Sequence, residues 1–416
     1  SPSTITLNFA GETPINTASA GTITFYNLTN NNDAAPTTDF TVAGDFLNTS
    51  GAMAATAGTM TMSGTGKTMK VTAGSVALSG LTITGTITQY NDLTVEDFVC
   101  TSGTATFTYS GTPKMNINVA GASITPTINT VGTGGVTFYD LVLLDAAHAV
   151  EITGASAFTV AHDFDASAAT TGVTPNTSTI NMSGDPGFLT LDPAGTAVYN
   201  VTILNNAIVE QTDIATIAAG GTYTVNNGGT LLLPATAACL AGAGNVTFAS
   251  GSTVRVEEAG GFASSITAGG TLTFDAGANY VIGAAVTDMG LDVGITACNN
   301  LTSWATALTT TSGPLTISGN FVNENAKSFT CAAGDFITMS GTDKSITNSG
   351  TLLFDRLIIS GTITTPSSFT ITNVSTGGNI LNVSSGSFTA TAGLITLTGS
   401  GAIVNAGSLT FNNLTI

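Results

Sequence analysis

The phrase Phe25-Tyr-Asn-Leu-Thr29 returns along the whole chain. It reappears as Tyr90-Asn-Asp-Leu-Thr94, Phe138-Tyr-Asp-Leu-Val142, Val198-Tyr-Asn-Val-Thr202, Phe354-Asp-Arg-Leu-Ile358 and Phe411-Asn-Asn-Leu-Thr415. Measured at Leu28, Leu93, Leu141 and Val201 the copies lie 65, 48 and 60 residues apart, and Leu357 and Leu414 are separated by 57. A weaker copy, Cys298-Asn-Asn-Leu-Thr302, falls in the long gap. Tandem copies of one short unit restrict a chain to solenoids or arrays of small domains, because each unit must bury its apolar side on its neighbour.

Two further phrases keep step with the first. Phe40-Thr-Val-Ala-Gly-Asp-Phe46 recurs as Phe158-Thr-Val-Ala-His-Asp-Phe164 and Leu315-Thr-Ile-Ser-Gly-Asn-Phe321, each about 20 residues after a copy of the first phrase. Thr61-Met-Ser-Gly-Thr65 recurs as Thr338-Met-Ser-Gly-Thr342. Order and phase are kept, so one supersecondary module has been copied.

The module reads as β-structure. Apolar residues alternate with Thr or Ser over four to six positions, as in Thr59-Met-Thr-Met62 and Leu409-Thr-Phe411, and Gly, Asn or Asp then breaks the run. Forty-nine Gly and a scarcity of Lys, Arg, Glu and Gln argue against helices. Three short strands per coil of about 19 to 21 residues would make the ~57-residue period three stacked coils, and ~20 coils at roughly 4.8 Å would give a rod on the order of 100 Å. The expected fold is therefore an all-β parallel β-solenoid (β-helix), with 20 Phe against one Trp filling repeated interior slots. The alternative is a string of small β-sandwich domains, although these run near 100 residues, longer than the period. Residues 1–205 and 298–416 read as repeat arrays, and 206–297 as a diverged or inserted segment.

Charge bounds the partners. Twenty-five acids against seven bases give a net charge of −18, and no basic stripe exists to neutralise phosphates, which excludes nucleic acid and disfavours anionic membranes. No run of 18 apolar residues is present, so no membrane insertion is expected. The chain opens at Ser1 with neither Met nor a leader, which reads as a mature form whose export signal has been removed.

Chemistry-bearing residues are sparse. Cys100, Cys239, Cys298 and Cys331 lack metal-ligand spacing, leaving disulfides in an oxidising compartment and buried thiols as equal readings. His162-Asp163-Phe164-Asp165 is the densest polar cluster, but it occupies the slot of Gly44-Asp45-Phe46 and Gly319-Asn320-Phe321, so Asp163 reads as a turn residue before it reads as a base. No phosphate loop, nucleophile turn or zinc signature appears, and enzyme activity is not expected. Ca2+ at turn acids such as Asp33, Asp92 with Glu96 and Asp97, or Asp140 with Asp145, is a weaker reading than solvated carboxylates. Asn48, Asn176, Asn245, Asn373 and Asn382 head Asn-x-Ser/Thr patterns and are candidate glycosylation sites. The Asn of the first phrase reads instead as a corner residue that bonds the Asn stacked above it.

The two ends of the sequence match. Thr4-Ile-Thr-Leu7 with the first phrase corresponds in order to Ile395-Thr-Leu397 with the last phrase, and neither end carries a capping segment. Open ends expose core and strand edge, so Ile5, Leu7, Leu414 and Ile416 are candidate assembly residues for head-to-tail contact between copies.

The three phrases, and Gly407-Ser-Leu-Thr-Phe-Asn-Asn-Leu-Thr-Ile416 above all, resemble the tandem repeats of large prokaryotic surface proteins: haemagglutinin-like β-solenoid adhesins and extracellular filament, sheath or S-layer subunits. The resemblance implies secretion, a cell-surface or extracellular location, and a structural or adhesive role, without catalytic residues. The sequence thus leads to the expectation of a structural protein that self-associates into a homopolymer, with an adhesin presenting a glycan- or partner-binding face as the alternative.

Overall fold

The computed structural model describes residues 3–7, 23–55, 57–118, 125–132, 135–184, 188–310, 314–324, 327–373 and 378–416. Strand accounts for 52% of the chain and helix for 2%, in a β-solenoid of about 17 turns. The chain packs as two compact units, one of residues 1–202 with 212–222 and the other of 203–211 with 223–416.

In the first unit each coil contributes short strands to three parallel ladders. Leu28, Phe46, Met69, Gln89 and Tyr109 stand in register on one. Leu93, Met115, Leu141, Phe164 and Leu191 stand on the second, and Phe40, Met60, Leu81, Phe98, Ile128 and Ile152 on the third. The second unit repeats the plan. One of its ladders runs through Cys298, Ile317, Met339, Ile359, Val383 and Asn405. Another runs through Leu301, Phe321 and Ile346, and the third carries Phe369, Ile395 and Leu414 from successive coils. From one coil to the next the step varies from 17 residues (Leu353 to Thr370) to 30 (Phe98 to Ile128).

Alternation explains the faces. Strands such as Thr59–Met62 and Thr179–Met182 bury every second side chain, leaving Thr and Asn outward. Inward Phe rings meet edge to face, Phe98 with Phe107 and Phe138 in the first unit, and Phe354 with Phe321, Phe329 and Phe369 in the second, at centroid distances of 5.1 to 6.3 Å. Each such ring contributes about 1.5–3 kcal/mol by burial, and each edge-to-face pair about 0.5–1.5 kcal/mol more.

The repeated phrases mark corners. In the copy Phe25-Tyr-Asn-Leu-Thr29, Phe25 ends the strand Ile23–Phe25 inside the core, the chain turns at Tyr26, and Asn27 opens the strand Asn27–Asn30. The Oδ1 of the Asn or Asp at this position accepts the backbone N–H of the following coil: Asn27 from Asp45 (2.8 Å), Asp92 from Lys114 (2.9 Å), Asp140 from Asp163 (3.1 Å), Asn200 from Thr222 (3.0 Å) and Asn300 from Asn320 (2.8 Å). The second phrase supplies the next rung, since Asp45 accepts from Thr68 N–H, Asp163 from Thr190 and Asn320 from Ser345. Three phrases are therefore three successive rungs of one corner. The expected Asn-to-Asn bond is found at Asn300, whose Nδ2 donates to Asn279 Oδ1 at 2.7 Å, while side chain to backbone bonds join the coils at all five corners.

The period differs from the expectation of three whole coils. Leu93 and Leu141 share a ladder two coils apart, but Leu28 lies on another, and Leu357 and Leu414 lie on different ladders of the second unit. A strand-corner-strand phrase fits any of three equivalent corners, so a copy can begin one strand off without cost.

Residues 206–297 form coils, not an inserted lobe. The strands Ile208–Gln211, Thr230–Leu233, Thr253–Val256, Asn279–Ile282 and Leu301–Ser303 pair in parallel in that order. The repeat is obscured because other sides of these coils carry the short helix Gly261–Ser265 and the 3-10 turn Leu291–Val293 in place of strands.

Candidate functional site

Among the described residues, one group of metal-ligating side chains converges: Asp140, His162 and Asp163, whose ligand atoms all lie within 4.8 Å of one another. The corner mechanism builds it. Asp140 opens the strand Asp140–Leu143, and Asp163 stands one coil later, just before the strand Phe164–Asp165. The Asp140 carboxylate is buried, its side chain 8% exposed, and its Oδ1 is 2.8 Å from His162 Nδ1. Asp163 Oδ2 is 3.3 Å from the same nitrogen, and Asp163 Oδ1 accepts the Thr190 N–H at 2.9 Å. The imidazole lies flat on Tyr139, with centroids 4.8 Å apart and planes 8° from parallel, and Tyr139 meets Tyr109 edge on. Burial, followed by the charges of Asp140 and Asp163, raises the Tyr139 hydroxyl above its ordinary pKa.

A cavity of about 120 Å³ adjoins the cluster, lined by Lys114, Asp140, Val142, Asp163, Asp165, Thr190 and Asp192. Asp165 and Asp192 are register partners on neighbouring strands. Burial pushes the Asp192 carboxyl up, the Ala194 N–H at 3.0 Å opposes this, and Asp165 adds to it.

The turn reading of Asp163 describes one of its oxygens, and the other faces the imidazole. The sequence did not join Asp140 to His162, because they lie 22 residues apart in different phrases. The signal was present in the copies. At equivalent corners the three positions are Asn27, Gly44, Asp45 and Asn300, Gly319, Asn320. Gly is the residue those corners need, since a Cβ on Gly319 would stand 2.3 Å from Asn300 Oδ1. Only this corner of the three carries His there, with its N–H bonded to Tyr139 O at 2.9 Å.

Asp145 belongs to a second His-Asp pair. Its Oδ2 is 3.1 Å from His148 Nδ1, and its Oδ1 accepts the Ala147 and His148 N–H groups. Glu96 is buried at the bend of the strand Leu93–Val99, and its Oε1 has no hydrogen-bond partner. Burial, then Asp97 and Asp145, raise its pKa, while His148 opposes them. Asp33, Asp92 and Asp97 each accept a backbone N–H from the following coil, from Ala52, Lys114 and Thr127. Arg255 lies over Trp304 at 4.5 Å and pairs with Glu257, and Trp304 Nε1 donates to Glu324 Oε2 at 2.7 Å.

Other residues singled out in the sequence occupy varied environments. Asn48 is fully buried, with its Nδ2 donating to Gly51 O and Ala73 O, and Asn373 is buried with its Nδ2 turned to Ser400 O. Neither has room for a glycan in the folded chain. Asn176 is exposed, and Asn245 and Asn382 are half-buried. Cys100, Cys239, Cys298 and Cys331 are all buried. Cys298 stands opposite Ile317 and Cys331 opposite Thr310, so each fills a core slot instead of facing another sulfur. Ile5 is exposed and Leu7 half-buried on the strand Thr4–Leu7, which pairs with Asn27–Asn30; the remainder of the matching N-terminal stretch, 8–22, lies outside the described residues. Leu414 is 37% and Ile416 88% exposed. Among the described residues no helix is long and apolar enough to cross a membrane. Comparison with known proteins returns no matching family model, no similar curated protein and no similar solved structure.

Proposed function

We propose that the chain is an extracellular structural protein, a subunit of a cell-surface filament, sheath or surface layer in which coils of one copy continue the stack of another. The observation that carries this reading is that coil stacks on coil in parallel throughout both units, as in the coil 403–415. Its strands Ile403–Asn405, Ser408–Thr410 and Asn413–Thr415 pair on one side with Leu381–Val383, Ser387–Ala390 and Leu394–Leu397. Parallel ladders of this kind are extended by any coil of like geometry, and a head-to-tail contact between copies propagates. A hydroxyl-rich, base-poor surface suits life outside the cell, and the mechanism is mechanical: stacked ladders resist extension.

Electron microscopy and sedimentation of the purified chain test the reading. Polymers with a regular axial repeat are expected, and Leu414→Lys, which places a charge on the exposed strand Asn413–Thr415, is expected to shift material toward monomer. A monodisperse monomer at every concentration would overturn it in favour of an adhesin that displays a partner-binding face.

A further inference from the structure

We propose that Asp140, His162 and Asp163 bind one divalent transition-metal ion of the zinc type. The donors are one imidazole nitrogen and two carboxylate oxygens, a set that suits zinc, cobalt, nickel or copper better than calcium or magnesium, which take oxygen alone. The spacing is right. Donors held about 2.0–2.2 Å from a tetrahedral ion stand on the order of 3.3 Å from each other. Here Nδ1 lies 2.8 Å from Asp140 Oδ1 and 3.3 Å from Asp163 Oδ2. Binding puts the ion on Nδ1 in place of the hydrogen bond to Asp140, and the neutral ring then carries its hydrogen on Nε2.

The surroundings hold these donors in place. The Asp163 N–H fixes Asp140 Oδ1, the Thr190 N–H fixes Asp163 Oδ1, and the Tyr139 face sets the ring plane. Outer partners of this kind orient ligands before the ion arrives. His162 and Asp163 are 38% and 35% exposed, so an ion reaches the site from solvent and keeps water on its open side.

The independent argument is the departure from the repeat. Corners that share this hydrogen-bond plan carry Asn27 with Gly44, and Asn300 with Gly319. At this one, Asn has become Asp, as it also has at Asp92 with Pro113 before Lys114, and Gly has become His, as at no other of the five corners. The first change adds a charge that the N–H bond does not require, and the second adds a side chain where the other two corners leave no room for a Cβ. Both supply ligands, and both point at one another.

The test uses the full chain, stripped with chelator and titrated with zinc chloride by calorimetry. One equivalent per chain is expected, with affinity reduced at least tenfold in His162→Gly and in Asp140→Asn, each of which restores the residue of the sister corners. His148→Ala is expected to bind as the parent does. The parent itself gives a second readout free of folding effects: with two histidines in the chain, the ring proton resonances of His162 should move on zinc addition while those of His148 stay. Unchanged affinity in both variants, loss in His148→Ala instead, absence of zinc uptake at millimolar concentration, or movement of the His148 resonances alone would each overturn the proposal.

Discussion

The carbonyl oxygen of Gly341 lies 2.0 Å from the point where a Cβ on Gly361 would stand. One coil thus rests its backbone directly on the backbone of the coil before, at the Ser-Gly-Thr step that recurs in the sequence. Gly361→Ala forces the two coils apart at a fixed ladder spacing, an overpacking that costs about 1–3 kcal/mol. Urea denaturation should register this loss, whereas Gly103→Ala, whose Cβ would meet nothing nearer than 4.0 Å, should leave the midpoint unchanged.

Asn320 Oδ1 accepts both the N–H and the hydroxyl of Ser345 at 3.0 and 3.2 Å. Its removal in Asn320→Ala leaves the next coil's N–H without its acceptor and should cost about 1 kcal/mol. Asn320→Asp keeps the acceptor, as Asp45 and Asp163 do at the sister corners, and should melt close to the parent. Equal losses in both variants would show that the side chain's volume, not its oxygen, matters.

Phe354 touches Phe321, Phe329 and Phe369 with its ring edges or face. Truncation to Ala opens a cavity spanning several coils and should destabilise the second unit by about 3–5 kcal/mol. Phe354→Leu should recover more than half of that loss in the same denaturation series.

Glu96 gives a pH signature. Its folded pKa lies above the ordinary value of 4.5, chiefly through burial, so the folded chain keeps this proton to higher pH than the unfolded chain does. Stability from this group is then present below pH 4.5 and lost as pH rises through the folded value. Glu96→Gln should be more stable than the parent at pH 7, and the two should converge in acid. A parent that outlasts the variant at pH 7 would contradict this sign.

The thiols offer a simple check on the interior. Burial pushes Cys298 up to about 12, and Cys100, Cys239 and Cys331 are buried as well. A thiolate reagent at pH 8 should find no reactive sulfur in the native protein and four after denaturation, without reductant. Fewer than four would indicate a disulfide.

Period-two alternation, Gly breaks and repeated phrases made the solenoid legible from sequence, because inward Phe and outward Thr follow directly from the pleat. The ladder assignment of each copy was not legible. Leu28 and Leu93 look identical in their phrases and sit on different sides, since three corners offer the same local chemistry. The Asp140-His162 contact was hidden for a related reason: residues one coil apart are neighbours only once the length of the intervening coil, 23 residues from Asp140 to Asp163 and 18 from Asn27 to Asp45, is known. Glu96 was hidden because a strand that continues around a bend turns an expected outward position toward the core.

Coil length varies by more than a third while the ladders keep their register, so the added residues gather at the bends, as in the segment 144–149 between the strands Asp140–Leu143 and Val150–Ile152. Bends are where this molecule can grow. An evolving or engineered chain can lengthen there, acquire a loop, and present it to the outside while the strands above and below remain locked together.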